Sequence, residues 1–179
     1  HDANTCSPRF AAEIQTEKYG PVLRFYDYSR DRKVPFQMDF FMLEDKPFLF
    51  SRVRIYNPST DVIPMYWWSN IAADITPGCR VVVPAKDTYS NSYNNGSHFI
   101  NRVTLPDGDG FDTTYPDRFK YAHDHFYNIP ADTRKYEALI KPDGKGLVHM
   151  STRRLQGRKL FVWGDSPGGH HWQRVLLAP

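Results

Sequence analysis

The chain is predicted to be all-β, an antiparallel β-sandwich, and three observations carry that prediction. Short runs of β-branched and aromatic residues alternate with polar ones at period two. Turn signals built from Gly, Pro, Asn and Asp separate the runs at short intervals. The aromatic residues (12 Phe, 11 Tyr and 4 Trp) are spread along 179 residues rather than clustered, as many half-buried strands require.

In chain order, alternation appears twice between Glu13 and Tyr28, broken by Gly20-Pro21, which predicts a first hairpin. Ser29 to Lys33 is a charged turn, and Val34 to Leu43 then sets Gln37 and Asp39 against Phe36, Met38 and Phe40. Glu44-Asp45-Lys46-Pro47 turns the chain into Phe48 to Tyr56, where Arg52 and Arg54 alternate with Val53 and Ile55. That half-buried strand is expected to pair with the one around Trp67. Arg80 to Pro84 is a further short β-branched run. Asp87 to Asp112 is polar and turn-rich and predicts long loops. Tyr115 to Pro130 is aromatic and His-rich without a period, and Asp132 to Ile140 predicts one short helix. After the turn Pro142 to Gly146 come strands at Leu147 to Arg153 and Lys159 to Trp163. Gly164 to Gly169 is read as a turn into a last strand, His171 to Leu177.

The richest stretch is Val62 to Ala72, with Trp67, Trp68 and Asn70. It follows the turn signal Asn57-Pro58-Ser59-Thr60 and reads as a strand. Neighbouring side chains of a strand leave opposite faces, so Trp67 and Trp68 cannot line one surface. If Trp68 is the exposed one, Asn70 shares its face. A flat indole beside an amide suits a sugar, which has an apolar C–H face and a ring of hydroxyls. The ordinary alternative is that both indoles are buried between sheets.

Length and charge narrow the field. The length fits one domain with a sizeable core. A net charge of +3, with both signs mixed throughout, gives no basis for nucleic-acid or membrane-surface binding. No apolar run approaches the ~20 residues of a membrane span, and the opening residues do not read as a signal peptide. Cys6 and Cys79 make no disulfide framework; one bridge or a reduced cytoplasmic chain fits equally, and cytoplasmic is the default expectation. Asn95-Gly96-Ser97 fits a glycosylation triplet, a pattern that also arises by chance. The chain opens on His1 and stops at Pro179 after Val175-Leu176-Leu177, which suggests a fragment of a larger protein.

Several motifs bear on chemistry. Gly164-Asp165-Ser166-Pro167-Gly168 matches the serine-hydrolase elbow pattern, but Pro167 lacks the N–H that would complete an oxyanion hole. Asp107-Gly108-Asp109-Gly110 resembles a calcium loop, yet its twelfth position is Arg118, where a Glu is needed. His123-Asp124-His125 puts two imidazoles on one face of a strand. A metal would need a third ligand such as His149, His170 or His171, with no HExxH or Cys pair to support it, so neither metal nor cofactor is expected. Hydrogen bonding or acid–base work in a cleft suits these histidines better than metal binding, and ordinary surface or loop histidines are the leading reading. Arg153, Arg154, Arg158 and Lys159 read as a solvated hairpin. Asp124, Asp132, Glu137 and Asp165 contain too little spacing information to name a glycosidase pair.

The block Pro64 to Ala72, with Asp143 to Thr152 and Gly157 to Gly164 continuing through Gly168-Gly169-His170-His171-Trp172-Gln173, resembles the domain of unknown function 5107 family over roughly residues 48–177. The resemblance implies a galactose mutarotase-like supersandwich, as in aldose epimerases and domains attached to glycoside hydrolases. It implies carbohydrate contact, and it implies fusion to tetratricopeptide repeats of the same full-length chain as possible partners. It also implies a later strand bearing a glutamate, absent here, so the fragment itself is expected to be inactive as a glycosidase or epimerase. The expected sugar cleft is formed by Trp67 or Trp68, Asn70, His123, His125, His170 and Trp172. The competing expectation is a non-catalytic module that packs against the repeats.

Overall fold

A computed structural model describes residues 9–108 and 110–177. The chain forms two compact units, His1–Ser69 and Asn70–Pro179. Every strand pairing is antiparallel, as the sequence pattern predicts.

The first unit is a meander of four strands in chain order: β1 (Phe10–Thr16), β2 (Gly20–Ser29), β3 (Val34–Phe41) and β4 (Phe50–Ile55). Gly20 takes the left-handed conformation, φ +69°, that the first turn needs. Thr16 closes that turn: its hydroxyl oxygen accepts from the Tyr19 N–H at 3.1 Å, and the hydroxyl donates to the Gly20 carbonyl at 3.2 Å. Register then places Arg24 opposite Asp39, and Asp39 opposite Arg52, on one face. Asp39 is fully buried. Its carboxylate accepts from Arg24 Nε at 2.6 Å, Arg24 Nη2 at 2.9 Å, Arg52 Nη2 at 2.8 Å and Gln37 Nε2 at 3.1 Å. The Arg52 guanidinium also lies 4.8 Å above the Tyr19 ring, which itself packs on Phe41 at 4.4 Å. The polar alternation Gln37, Asp39 read from the sequence is thus a buried ion ladder.

The stretch around Trp67 corrects the sequence reading. Residues 56–78 form no strand, and β4 pairs with β3 rather than with this segment. The Asn57–Asp61 turn is built as expected, Asn57 Oδ1 accepting from the Ser59 N–H at 3.0 Å. Past it the chain runs on without ladder partners, and Pro64 lacks an N–H to offer one. The strand argument for opposite faces therefore does not apply to Trp67 and Trp68, although the two do differ in burial.

The second unit holds two sheets. One has the order β10 (Gly146–Met150), β9 (Tyr136–Ile140), β5 (Arg80–Val82). The other has the order β11 (Lys159–Val162), β8 (His123–Tyr127), β6 (Asp87–Asn94), β7 (Ser97–Thr104). A helical turn at Pro116–Arg118 precedes β8, and helix α1 (Pro167–Leu177) follows β11.

Three expectations fail here, each for a physical reason. The predicted helix at 132–140 is β9, because pairing on both sides, with β10 and β5, outweighs the helix preference of Glu137, Ala138 and Leu139. The predicted long loops at 87–112 hold the hairpin β6–β7, turned by Asn95 (φ +48°) and Gly96 (φ +80°). Its core-facing positions are Thr88 and Ser90, so apolar alternation could not reveal it. The predicted last strand at 171–177 is part of α1. Ser166 caps that helix, its Oγ accepting from the Gly169 N–H at 3.2 Å, and Pro167 opens it. Cys6 and Asp109 lie outside the described residues; Cys79 is buried.

The donors around Asp39 hold its carboxyl at about 2, below the usual 3.8, with the Arg24 hydrogen bonds as the largest cause. Its stabilising contribution is therefore complete above 3.8 and disappears as pH falls through about 2. Asp39→Asn is expected to cost about 2–3 kcal/mol at neutral pH. In chemical denaturation at a series of pH values, the gap between parent and variant should narrow toward pH 2.

Candidate functional site

The register of the four-stranded sheet in the second unit decides which side chains meet. His123, His125 and Tyr127 share one face of β8, with Leu160 opposite His125 and Val162 opposite His123 on β11. On β6, Thr88 stands opposite Tyr127, which brings Ser90 to the same face. Asp124 and Phe161 point to the other face, where Lys159 pairs with Asp124 at 2.7 Å.

The inner face is unusually polar. Ser90 Oγ and His123 Nε2 share a hydrogen bond of 2.6 Å. The His123 and His125 rings lie 4.8 Å apart, and the Phe119 ring packs 5.3 Å from each. Thr88, Ser90 and His125 are buried and His123 is half-buried. His125 therefore supports the site from beneath, and His123 is the imidazole nearer solvent.

Glycines hold this arrangement from behind. A Cβ on Gly164 (φ +69°) would come within 2.5–2.8 Å of the Tyr121 backbone, and one on Gly169 within 2.1 Å of the Trp163 carbonyl. The turn between β11 and α1 is thus pressed against the segment leading into β8. The Asp165 N–H donates to the Phe119 carbonyl at 3.3 Å and ties the two together.

A second polar group lies on the three-stranded sheet of the second unit. Glu137 on β9 is cross-strand from His149 on β10. Burial pushes the Glu137 carboxyl up to about 7, against the opposing pull of Arg158. Burial, then the charge of Arg158, pushes His149 down. Burial, then Glu137, pushes the Tyr127 phenol up. A carboxyl that stays protonated near neutrality can donate a hydrogen bond or a proton. Of the four carboxylates considered from sequence, Asp124 is paired with Lys159, Asp165 contacts His170 at 3.0 Å, and Asp132 is exposed. Among the described residues no three His, Cys, Asp or Glu side chains are placed to hold a metal.

The structure brings some of the expected site residues together. His123 and His125 are adjacent, as their spacing on a strand required. His170 and Trp172 lie on α1, and Trp172 packs edge-on against Phe161 at 5.8 Å. That places it on the opposite face of the sheet from His123 and His125. In the first unit, Trp67 is half-buried against Phe36 at 6.2 Å, whereas Trp68 is 45% exposed. Asn70 is exposed. Sequence reasoning missed Thr88, Ser90 and Lys135, all three polar residues occupying core positions. It read Arg158 as solvated, yet only 6% of it is exposed.

The serine-elbow pattern gains one feature, since Gly164–Gly168 does sit between a strand and a helix. It remains excluded as a nucleophile: Ser166 is buried with its oxygen spent on the helix cap, and Pro167 has no N–H.

A family model, "Domain of unknown function (DUF5107)", matches residues 26–179. The chain belongs to this family. No curated protein and no solved structure matches it. The DUF5107 match takes in the Gly157–Gln173 block, and the structure explains the glycines of that block at Gly164 and Gly169 by backbone approach. Among the described residues no helix is long and apolar enough to cross a membrane.

Gly169→Ala is expected to lower stability by at least about 2 kcal/mol, because a carbonyl rather than a flexible side chain blocks the added carbon. Thermal unfolding measures the loss. The His123 and His125 imidazole resonances should shift as well, since the same turn anchors Phe119.

Proposed function

We propose that this DUF5107 chain is a carbohydrate-recognising part of a larger protein, with the apolar face of a sugar stacked on Trp68. The exposed indole of Trp68 carries the reading. It stands edge-on to the exposed ring of Tyr66, at 6.3 Å and 84°, in a segment that forms no strand. Two aromatic rings at right angles offer a ring face and a wall to a saccharide. Within the second unit, His123 is a half-buried hydrogen-bonding group whose ring is held by Ser90. The wider fold in which the chain would act is a galactose mutarotase-like supersandwich, related to aldose epimerases.

A second reading has its own observation. Val62 is 96% exposed, and Met65 and Tyr66 nearby are also largely exposed. An apolar run of this kind suits packing against another protein surface, such as tetratricopeptide repeats of the same full-length chain.

Thermal-shift titration with a panel of mono- and oligosaccharides separates the two. Binding to the folded state alone adds about 2.7 kcal/mol at a hundredfold excess over Kd. One sugar class should raise the melting temperature of the parent, and folded Trp68→Ala should not respond. Trp67→Ala should instead lose roughly 2 kcal/mol of stability through its contact with Phe36. Silence toward every sugar, together with binding to a repeat array, would replace the first reading with the second.

A further inference from the structure

β7 is the outermost strand of the four-stranded sheet in the second unit, and among the described residues no strand lies beyond it. β6 covers its other side along its whole length. Sheet edges are ordinarily blunted by shortness, charge or proline, because an open edge templates another strand. The other edges of this chain follow that practice. β5, β10 and β11 are short, of three, five and four residues, while β1 carries Glu13 and β4 carries Arg52 and Arg54. β7, with eight residues, is longer than any of them and contains neither proline nor lysine. Its arginine, Arg102, pairs with Asp87 at 2.7 Å. Phe99 is 50% exposed and Ile100 69%.

Register fixes which backbone groups of β7 point outward. The two-residue turn Asn95-Gly96 makes Asn94 and Ser97 a hydrogen-bonded pair, and antiparallel pairs alternate between bonded and non-bonded. Ser97, Phe99, Asn101 and Val103 therefore spend their N–H and C=O groups on β6. His98, Ile100, Arg102 and Thr104 turn theirs away from it. At Thr104 the chain itself comes close, since a Cβ on Gly108 would lie 2.6 Å from the Thr104 carbonyl oxygen. The open template is thus His98, Ile100 and Arg102.

We propose that β7 pairs with β7 of a second copy of this chain, antiparallel, about a two-fold axis at Ile100. Across such an edge an outward residue faces only another outward residue, so few registers are permitted. With the axis at Ile100, Ile100 meets its own copy and His98 meets Arg102 on both sides of it. Each of the three outward residues then exchanges both of its backbone bonds. Moving the axis toward the turn strands Arg102 opposite Asn95-Gly96 or beyond it. Moving it the other way brings His98 against Thr104, where Gly108 stands, or sets Arg102 opposite Arg102. The favoured register also covers apolar surface, with Ile100 on Ile100 on one face and Phe99 beside Asn101 on the other. It sets no arginine against another. The edge is therefore self-complementary, as a two-fold interface requires, and the occupant it fits is this same strand. This inference is independent of whether the chain binds a sugar.

Sedimentation velocity of the whole chain from about 1 μM to about 1 mM should show the monomer giving way to a species of twice its mass. Ile100→Lys puts two ammonium groups on the axis and should stay monomeric. So should Ile100→Pro, whose missing N–H is an outward one. Val148→Lys, on the β10 edge, should dimerise like the parent. Amide hydrogen exchange of the parent gives a second readout that needs no variant to fold. As concentration rises, exchange at His98, Ile100 and Arg102 should slow by at least about tenfold. Phe99 and Asn101, already bonded to β6, should change far less. A single species with the mass of one chain at every concentration overturns the proposal. So does a dimer that Val148→Lys abolishes and Ile100→Lys leaves intact, or slowing that is equal at odd and even positions of β7.

Discussion

Polar groups carried into an interior must find one another, and this chain meets that demand in both of its units by strand register. In the first, antiparallel pairing puts Arg24, Asp39 and Arg52 in one row, so that a single buried carboxylate collects two guanidinium groups. In the second, pairing of β6 with β8 brings Ser90 to His123. A register slip of one residue would send each partner to the opposite face and leave buried charge or buried hydroxyl unpaired. The polar cores therefore specify the registers as well as being specified by them. The demand is not met everywhere: Arg52 Nε, Arg158 Nε and Trp163 Nε1 are buried without an acceptor.

Backbone proximity does the remaining work of positioning. Gly164 and Gly169 let the turn after β11 lie against Tyr121 and Trp163, a distance no other residue type would permit. The same turn hydrogen-bonds to Phe119, whose ring sits beside both imidazoles. The geometry of His123 thus depends on residues more than forty positions away in sequence, and on the absence of side chains there. A block rich in Gly, Trp and His is easily read as a ligand-contacting turn. Much of it is packing.

What could be read from the sequence follows from where the period-two signal is carried by apolar residues. β1 to β4, β10 and β11 announce themselves in that way. β6 could not, because Thr88 and Ser90 fill its inward positions with the residues that usually mark loops. α1 was hidden by Gly168-Gly169, a pair that suggests a turn until the close approach to Trp163 is seen. Its true start signals, a Ser cap followed by Pro, were present at Ser166-Pro167. The shared face of His123 and His125 was legible from spacing alone. The burial of His125 was not, because it depends on the approach of Phe119 and of the facing strands.

A residue that recognises a ligand has to be reachable and also held, and the candidates divide on these two requirements. Trp68 is reachable, and Tyr66 stands edge-on to it. His123 keeps part of its surface, and the hydrogen bond to Ser90 holds the tilt of its ring. His125 is held but not reachable, so its contribution passes through its neighbours. Trp172 is reachable, yet Phe161 keeps it on the far side of the sheet from the imidazoles. Trp67 is committed to Phe36 and serves the fold of its own unit. The two side chains that satisfy both requirements differ in chemistry: a flat apolar ring and a fixed imidazole. Each is a candidate within its own unit, the indole for stacking and the imidazole for hydrogen bonding.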